Sequence, residues 1–380
     1  MNPRERFKKA MNHQEPDRVP IDFGRHVGSI HREAYLKLQG YLKDCPLENQ
    51  DKILDRMAQN IVLDESLLEQ FGVDFRWLTP NWVSVKELSP DSYQDMWGIV
   101  WKFTGGMYSL IRSPLKEATR SDLERYPWPN PHHPDLFKEL KEQAKNLFET
   151  TDYVVGCDSI KGGIFTTALQ MRGYEQFLMD LAIDVEFAET LLDKILWLYQ
   201  EMWAEYLKAV GRYVQIAYFT DDIGTQTSLM ISPKTFRALI KPRLQRLIAH
   251  VKGLADVKFM FHTDGVVLPV IEDLIEIGVD ILNPIQTSVE GLDRTDLLKE
   301  RYGDRLCFHG AIDVQQILPK GTTETLRSEV AKRMCDLGKG GGYILAPCHN
   351  IGHDVHPANV VTLFEAAQEL GRYPLLHKTA

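Results

Sequence analysis

The sequence predicts an α/β fold, a (β/α)8 barrel of the TIM-barrel type with an N-terminal helical extension and an inserted aromatic-rich flap. Three observations carry this. In the second half of the chain, short apolar runs alternate with longer stretches of helical spacing, the order of a parallel sheet buried on both faces. Val19–Phe23, Val154–Val155, 213–219, 257–262, 279–285, 305–309 and 342–346 read as strands, and the region opening at Val73 has room for an eighth. Several of these runs break into polar residues at their C-terminal ends, the pole at which such a barrel builds its site.

Residues 3–12 have the pattern of a short amphipathic helix, and Glu15-Pro-Asp-Arg18 is turn chemistry leading into the first strand. Gly24-Arg25-His26-Val27-Gly28 is that strand's loop. Arg25 and His26 stand at the functional pole if the strand joins the main sheet, and on a solvated surface loop if it does not. Helical spacing covers His31–Leu42 and Asp51–Phe71. Residues 73–115 differ: Trp77, Trp82, Tyr93, Trp97, Trp101 and Tyr108 are interrupted by Pro80, Pro90, Gly98, Gly105 and Gly106. The runs around Gly105-Gly106 read as a hairpin or small antiparallel flap inserted into the main fold, its aromatics forming a core of their own or stacking on a substrate. Pro114–Pro134 is an irregular connection. Helices at 135–149, 164–171, 174–183, 185–210, 233–253, 267–277, 293–301, 322–336 and 357–371 then separate the strands.

A chain of 380 residues holds one large α/β domain or two ordinary ones, and 44% hydrophobic with 26% charged residues is the composition of a soluble globular protein. A net charge of -9 argues against a nucleic-acid binder, which needs a basic face for phosphates. The charged N-terminus lacks the apolar core of a secretory signal, and no apolar run approaches a membrane span. Cys45, Cys157, Cys307, Cys335 and Cys348 are scattered and odd in number, which points to a reducing, cytoplasmic setting.

The chemistry concentrates at strand ends. In Val257-Lys-Phe-Met-Phe-His262-Thr-Asp264-Gly265, residues two apart in an extended segment project to one side, so His262 and Asp264 can face one ion. With Cys348, at the end of Gly341-Gly-Tyr-Ile-Leu-Ala-Pro347, they supply an imidazole, a carboxylate and a thiolate, a donor set suited to zinc. Asp221-Asp222 opens the loop that contains Gln226; carboxylates there bind metal, donate protons or anchor a substrate, or simply form a turn. His309 and Asp313 flank a Gly-Ala turn, as a catalytic or ligand-orienting pair or as a histidine satisfied by backbone. Cys348-His349-Asn350, followed by His353 and His356, is a dense polar cluster. No Gly-x-Gly-x-x-Gly follows a strand and no Walker lysine loop is present, so nucleotide binding has no support.

Arg4-Glu-Arg…Asn12-His-Gln-Glu-Pro-Asp-Arg-Val-Pro-Ile21, Met171-Arg-Gly173-Tyr-Glu-x-Phe-Leu-x-Asp180, Asp221-Asp222-x-Gly-x-Gln226, Phe261-His-x-Asp-Gly265, Gly278-Val-Asp-x-Leu-Asn-Pro284 and Gly341-Gly-Tyr-Ile-Leu-Ala-Pro-Cys-His-Asn350 together resemble the uroporphyrinogen decarboxylase superfamily along the whole chain. The resemblance implies a (β/α)8 barrel. True uroporphyrinogen decarboxylases carry an Arg-Gln-Ala-Gly-Arg loop after the first strand, where this chain has Gly24-Arg25-His26-Val27-Gly28. The cobalamin-dependent methyltransferases of the superfamily place zinc on a His-x-Cys pair and a distant Cys. His262 and Cys348 match that pattern, Asp264 replaces the middle cysteine, and Asp222 is the other candidate for the third ligand.

The form is similar to the branch containing corrinoid-linked O-demethylases. It implies zinc at His262, Asp264 and Cys348, catalytic roles for Asp222, Asp264 and His309, and substrate contacts from Arg25, His26, Asp221, Gln226, His349 and Asn350. A small methoxylated, aromatic donor would give its methyl group to the Co(I) of a corrinoid (cobalamin) protein, in a homodimer. Two other readings stand beside it: a metal-free decarboxylase of an anionic substrate, with Arg25 holding a carboxylate and Asp222 stabilising a cationic intermediate, and a non-catalytic corrinoid- or tetrapyrrole-binding protein.

Overall fold

The computed structural model describes residues 1–375 except Asp44 and Pro46. Seven parallel strands form its centre: β1 (Phe75–Leu78), β2 (Val154–Cys157), β3 (Ile216–Thr220), β4 (Lys258–His262), β5 (Ile281–Ile285), β6 (Cys307–Ile312) and β7 (Tyr343–Pro347). Each lies beside its neighbour in sequence, with helices between, so the sheet winds in one direction and curls.

The seam between β7 and β1 is filled by residues 19–23. Ile21 pairs in parallel with Leu345. Asp22 N–H donates to Leu345 O, Leu345 N–H to Pro20 O and Asp74 N–H to Ile21 O, each at 2.9 Å. The segment occupies an eighth strand position without a full ladder, because Pro20 has no N–H and Ile21 N–H goes to the Asp74 carboxylate at 2.9 Å. Asp74 also receives Arg18 Nη1 at 2.8 Å and Arg6 Nη1 at 2.5 Å, which ties the N-terminal helix Pro3–Met11 to the closure.

Alternation along the strands divides their residues between two cores. Val154, Ile216, Met260, Ile281, Cys307 and Ile344 pack inside the barrel with Phe7, Ala10 and Met11 of the N-terminal helix, which plugs the lower end. Phe219, Phe261, Leu282, Phe308 and Leu345 pack outward beneath the helices. Two positions on from Met260, Ile281 and Cys307 stand His262, Asn283 and His309. The interior therefore changes from apolar to polar along its axis, and the polar layer lies at the C-terminal pole.

Three features differ from the sequence-based expectation. The insertion begins later than residue 73, since Phe75–Leu78 pairs with Val154–Cys157 as a barrel strand. The flap proper is a four-stranded antiparallel sheet, Lys86–Ser89, Ser92–Gln94, Val100–Thr104 and Met107–Arg112. The helix expected over 51–71 is confined to Glu65–Gln70; ahead of it Ile53–Asp55 pairs with Asn60–Ile61. Tertiary pairing overrides helical spacing there, because Ile61 N–H donates to Ile30 O at 3.2 Å and Asn60 Nδ2 to His26 O at 3.1 Å. Among the described residues, no helix is long and apolar enough to cross a membrane.

Candidate active site

His262 ends β4 and Asp264 follows it, while His349 lies just past β7. Their ligand-type atoms all fall within 4.8 Å of one another. His262 Nε2 is 3.7 Å from Asp264 Oδ2 and 4.0 Å from Asp222 Oδ1, and His349 Nε2 is 3.7 Å from the same Asp264 oxygen. Asp264 N–H donates to Asp222 Oδ1 at 3.0 Å, which brings the second carboxylate to the edge of the group.

The orientation of His262 is fixed from below. Its Nδ1 is 2.6 Å from Asn283 Oδ1, Asn283 Nδ2 is 2.8 Å from His309 Nδ1, and His309 Nε2 is 2.8 Å from Asp22 Oδ2. An ionised carboxylate only accepts, so His309 carries its proton on Nε2 and accepts on Nδ1. Asn283 must then present its NH2 to His309 and its oxygen to His262. In its neutral form His262 keeps the proton on Nδ1 and a lone pair on Nε2, facing Asp264, the arrangement that ligand histidines adopt. Burial, reinforced by Arg25, pushes the His309 imidazole down to about 4, which keeps it neutral. Asp22 is held below the usual carboxylate range: burial opposes its charge, but His309 and Arg25 outweigh that.

The mouth itself is strongly coupled. Burial disfavours the imidazolium of His262, yet Asp264 and then Asp222 favour it more, so its proton is held above the usual value. Asp264 is held low by His262 and His349 against the effect of burial. Asp222 is raised, chiefly by burial and further by Asp264. Of the pair, Asp264 is thus the stronger acid and Asp222 the weaker.

The donor set of His262, Asp264 and His349, with the His262 tautomer already selected, fits a zinc-type divalent ion. Cys348 is not part of this group. Its thiol is buried and donates to Ile285 O at 3.1 Å; it lines a cavity with Gln226, Gln286 and Asp313 that Asp264 and His349 also border, and the structure brings His349, not the cysteine expected from sequence, within reach of both His262 and Asp264. Gln226 Oε1 accepts from Gln286 Nε2 at 2.9 Å on the wall of that cavity.

Other expected site residues have structural duties. Arg25 is 0% exposed, lies 5.1 Å over the Tyr218 ring and donates to Asp22 at 2.8 Å. It lines neither cavity at the mouth, and its Nε and Nη2 are buried without a hydrogen-bond partner among the described residues. His309 is 1% exposed with both ring nitrogens engaged, so it orients and does not touch a reactant. Asp221 accepts the N–H groups of Phe165 and Thr166 at 2.9 and 2.7 Å, capping helix Ile164–Arg172. Burial pushes its carboxyl up to about 7. His26 lines the polar cavity and holds Asp158 through both its N–H and Nδ1. Asn350 accepts from Gly28 and Ser29 at 2.7 and 3.1 Å and fastens the first loop to the last.

The sequence of the family model for uroporphyrinogen decarboxylase (URO-D) matches residues 96–370. The chain belongs to the uroporphyrinogen decarboxylase family. Full-length relatives bearing that name include one from Alkalilimnicola ehrlichii, 24% identical over 370 residues covering 93% of this chain and 89% of the relative. Another, from Legionella pneumophila, is 25% identical over 378 residues with 96% of each chain covered. Among solved structures, a methyltransferase from Methanosarcina mazei shares the fold, with a TM-score of 0.67 at 19% identity, 97% of this chain and 99% of that one being covered.

Within this family member, sequence reasoning missed Asn283, Asp22, Lys161 and Asp55. Asn283 had a signal, a lone amide at the end of an apolar strand. Asp22 sits inside an apolar run with alternating burial. Lys161 and Asp55 gave none, since their pairing at 2.7 Å joins segments far apart in the chain.

Proposed function

We propose that this chain is a zinc-dependent methyltransferase that moves a methyl group from a methoxylated donor to the Co(I) of a corrinoid protein. The observation that carries the reading is the convergence of His262, Asp264 and His349 at an open barrel mouth, with the His262 lone pair selected by the Asn283–His309–Asp22 relay. The ion would be held by those three side chains, and when bound it supplies Lewis acidity toward the departing oxygen. In the overall change the methyl carbon–oxygen bond breaks and a carbon–cobalt bond forms on the partner. The oxygen leaves with the bonding electron pair and needs a proton. Asp222, 41% exposed and 4.0 Å from His262 Nε2, is placed to give that proton at the mouth and to recover it from solvent. The methyltransferase from Methanosarcina mazei supports a shared scaffold for this chemistry.

The test is metal analysis of the purified chain, followed by methyl transfer to free cob(I)alamin from methoxybenzenes, methanol, methylamines and thiols. Stoichiometric zinc and oxygen-donor turnover are expected; a metal-free chain without transfer overturns the reading. The second reading, decarboxylation of an anionic porphyrinogen-like substrate, is favoured by the names of the relatives. Release of carbon dioxide from uroporphyrinogen by metal-free protein would establish it. Against it stands Arg25, fully buried and paired with Asp22 where a carboxylate anchor would have to be accessible.

A further inference from the structure

Beside the polar pocket lies a second cavity, roofed by the flap. Its walls are Trp82, Trp97, Trp101, Met57, Met96 and Ile160, and its volume is about 100 Å³. Met57, Lys161, Gly162 and Gln170 line both this cleft and the pocket of His262, Asp264 and His349, so the two spaces share a wall. Among the lining groups, Asp95 is already committed: it accepts from Trp97 N–H at 2.9 Å, Ile99 N–H at 3.0 Å and Trp101 Nε1 at 2.8 Å. Its carboxylate staples the flap's turn and pins the polar edge of Trp101, leaving a wall of indoles and thioethers.

Lys161 stands where the apolar cleft meets the polar pocket. Its ammonium is 3.6 Å from the Trp82 ring centroid and donates one hydrogen to Asp55 at 2.7 Å. An ammonium has three donors, and among the described residues Asp55 is the one acceptor it meets. Lys161 is 23% exposed, and its charge is balanced by Asp55 while the Trp82 face packs against it. Burial does lower its proton affinity, and Asp55 opposes that.

We propose that the cleft under the flap is the specificity pocket for the organic half of the methyl donor, that it takes one small planar ring bearing an anionic oxygen group, and that Lys161 selects for that charge. At about 100 Å³ the cleft is smaller than the apolar cavity of about 150 Å³ that holds benzene in a well-studied engineered case, so it takes at most one ring, whose polar substituent would extend into the adjoining polar pocket, and a tetrapyrrole does not enter. Indoles and methionines offer flat, polarizable contacts to such a ring. A quaternary ammonium, the other usual guest of a tryptophan cage, is opposed by Lys161. The assignment of the ring to a methyl donor rests on the proposed methyl transfer; the cleft's preference for an anionic ring does not.

Tryptophan fluorescence of the full chain, titrated with 4-methoxybenzoate, methoxybenzene and benzyltrimethylammonium, tests this without turnover. In the wild-type chain 4-methoxybenzoate should bind at least tenfold more tightly than methoxybenzene, and benzyltrimethylammonium should not bind. Lys161→Met should erase the tenfold preference while methoxybenzene still binds, and Trp101→Leu should weaken both rings. Because Lys161→Met strands the Asp55 charge, the double variant Lys161→Met/Asp55→Asn is run beside it, with near-ultraviolet circular dichroism as the check on folding. Equal binding of charged and neutral rings, a preference that survives in the folded double variant, or no binding of any ring overturns the proposal. The same titration on His262→Ala separates the two failures. Ring binding without any methyl transfer by the wild-type chain sinks the proposed activity alone, and transfer from methanol without ring binding sinks the cleft alone.

Discussion

The polar pocket of the barrel mouth and the apolar cleft under the flap share a wall at Lys161, yet their side chains are held by different means. In the polar pocket, strand register sets the positions: His262 and Asn283 are aligned partners across β4 and β5, and His309 is paired with Ile344 across β6 and β7. Hydrogen bonds then remove the remaining rotational freedom. In the cleft, the indoles come from a flap whose outer face is in water, with Phe103 40%, Met107 57% and Ile111 54% exposed. Packing and one buried carboxylate hold them. The difference teaches that the polar cluster is fixed by the closed sheet, whereas the cleft is built on a part that sequence change can remodel without disturbing the barrel.

The strongest challenge to this division is exchange of the ligands. His262→Ala and His349→Ala should each weaken zinc binding by about 100-fold or more, since outer partners alone are worth about 10–100-fold, whereas Cys348→Ser should keep stoichiometric metal. Elemental analysis after dialysis decides it, and retention in His349→Ala with loss in Cys348→Ser would return the third place to the thiol.

Next in size is the pH response of the relay. The folded-state value of His309, about 4, lies below the ordinary histidine value of 6.5, so the unfolded chain takes up the proton first. The neutral buried imidazole therefore supports the fold fully above pH 6.5, and that support is lost as pH falls through the interval down to 4. The loss between pH 7 and 4.5 is on the order of 2–3 kcal/mol. Urea unfolding at both pH values should show a shallower fall for His309→Gln than for the wild type.

Asn283→Leu cuts the relay without touching a ligand and should weaken zinc by about 10–100-fold, while 4-methoxybenzoate affinity in the cleft stays unchanged. A parallel loss in both would show that the two pockets are one mechanical unit. The smallest effect belongs to the flap's outer face. Phe103→Ser should change stability by no more than about 0.5 kcal/mol and leave metal content as it was, read by urea titration and elemental analysis.

The barrel was legible because alternation, strand length and polar strand ends all pointed to the same fold, and His262 with Asp264 was legible because residues two apart share a side. Strand β1 was harder to see. Phe75–Leu78 adjoins the aromatic flap in sequence, and only its pairing with Val154–Cys157 separates it. The choice between Cys348 and His349 turned on which way neighbouring side chains leave one short loop, and spacing does not encode that. Lys161 and Asp55 were invisible for a different reason, since an isolated lysine and an isolated aspartate acquire meaning only when folding buries them together.

Residues 19–23 close the ring against β7, and Asn350 fastens Gly28 and Ser29 immediately beyond it. Segments far apart in the chain are thus neighbours at the mouth, and His349 follows the strand that closes the ring. A nascent or C-terminally truncated chain ending before Tyr343 would carry His262 and Asp264 but neither the closing strand nor their third companion. Assembly of the three-residue cluster therefore waits on the closing strand.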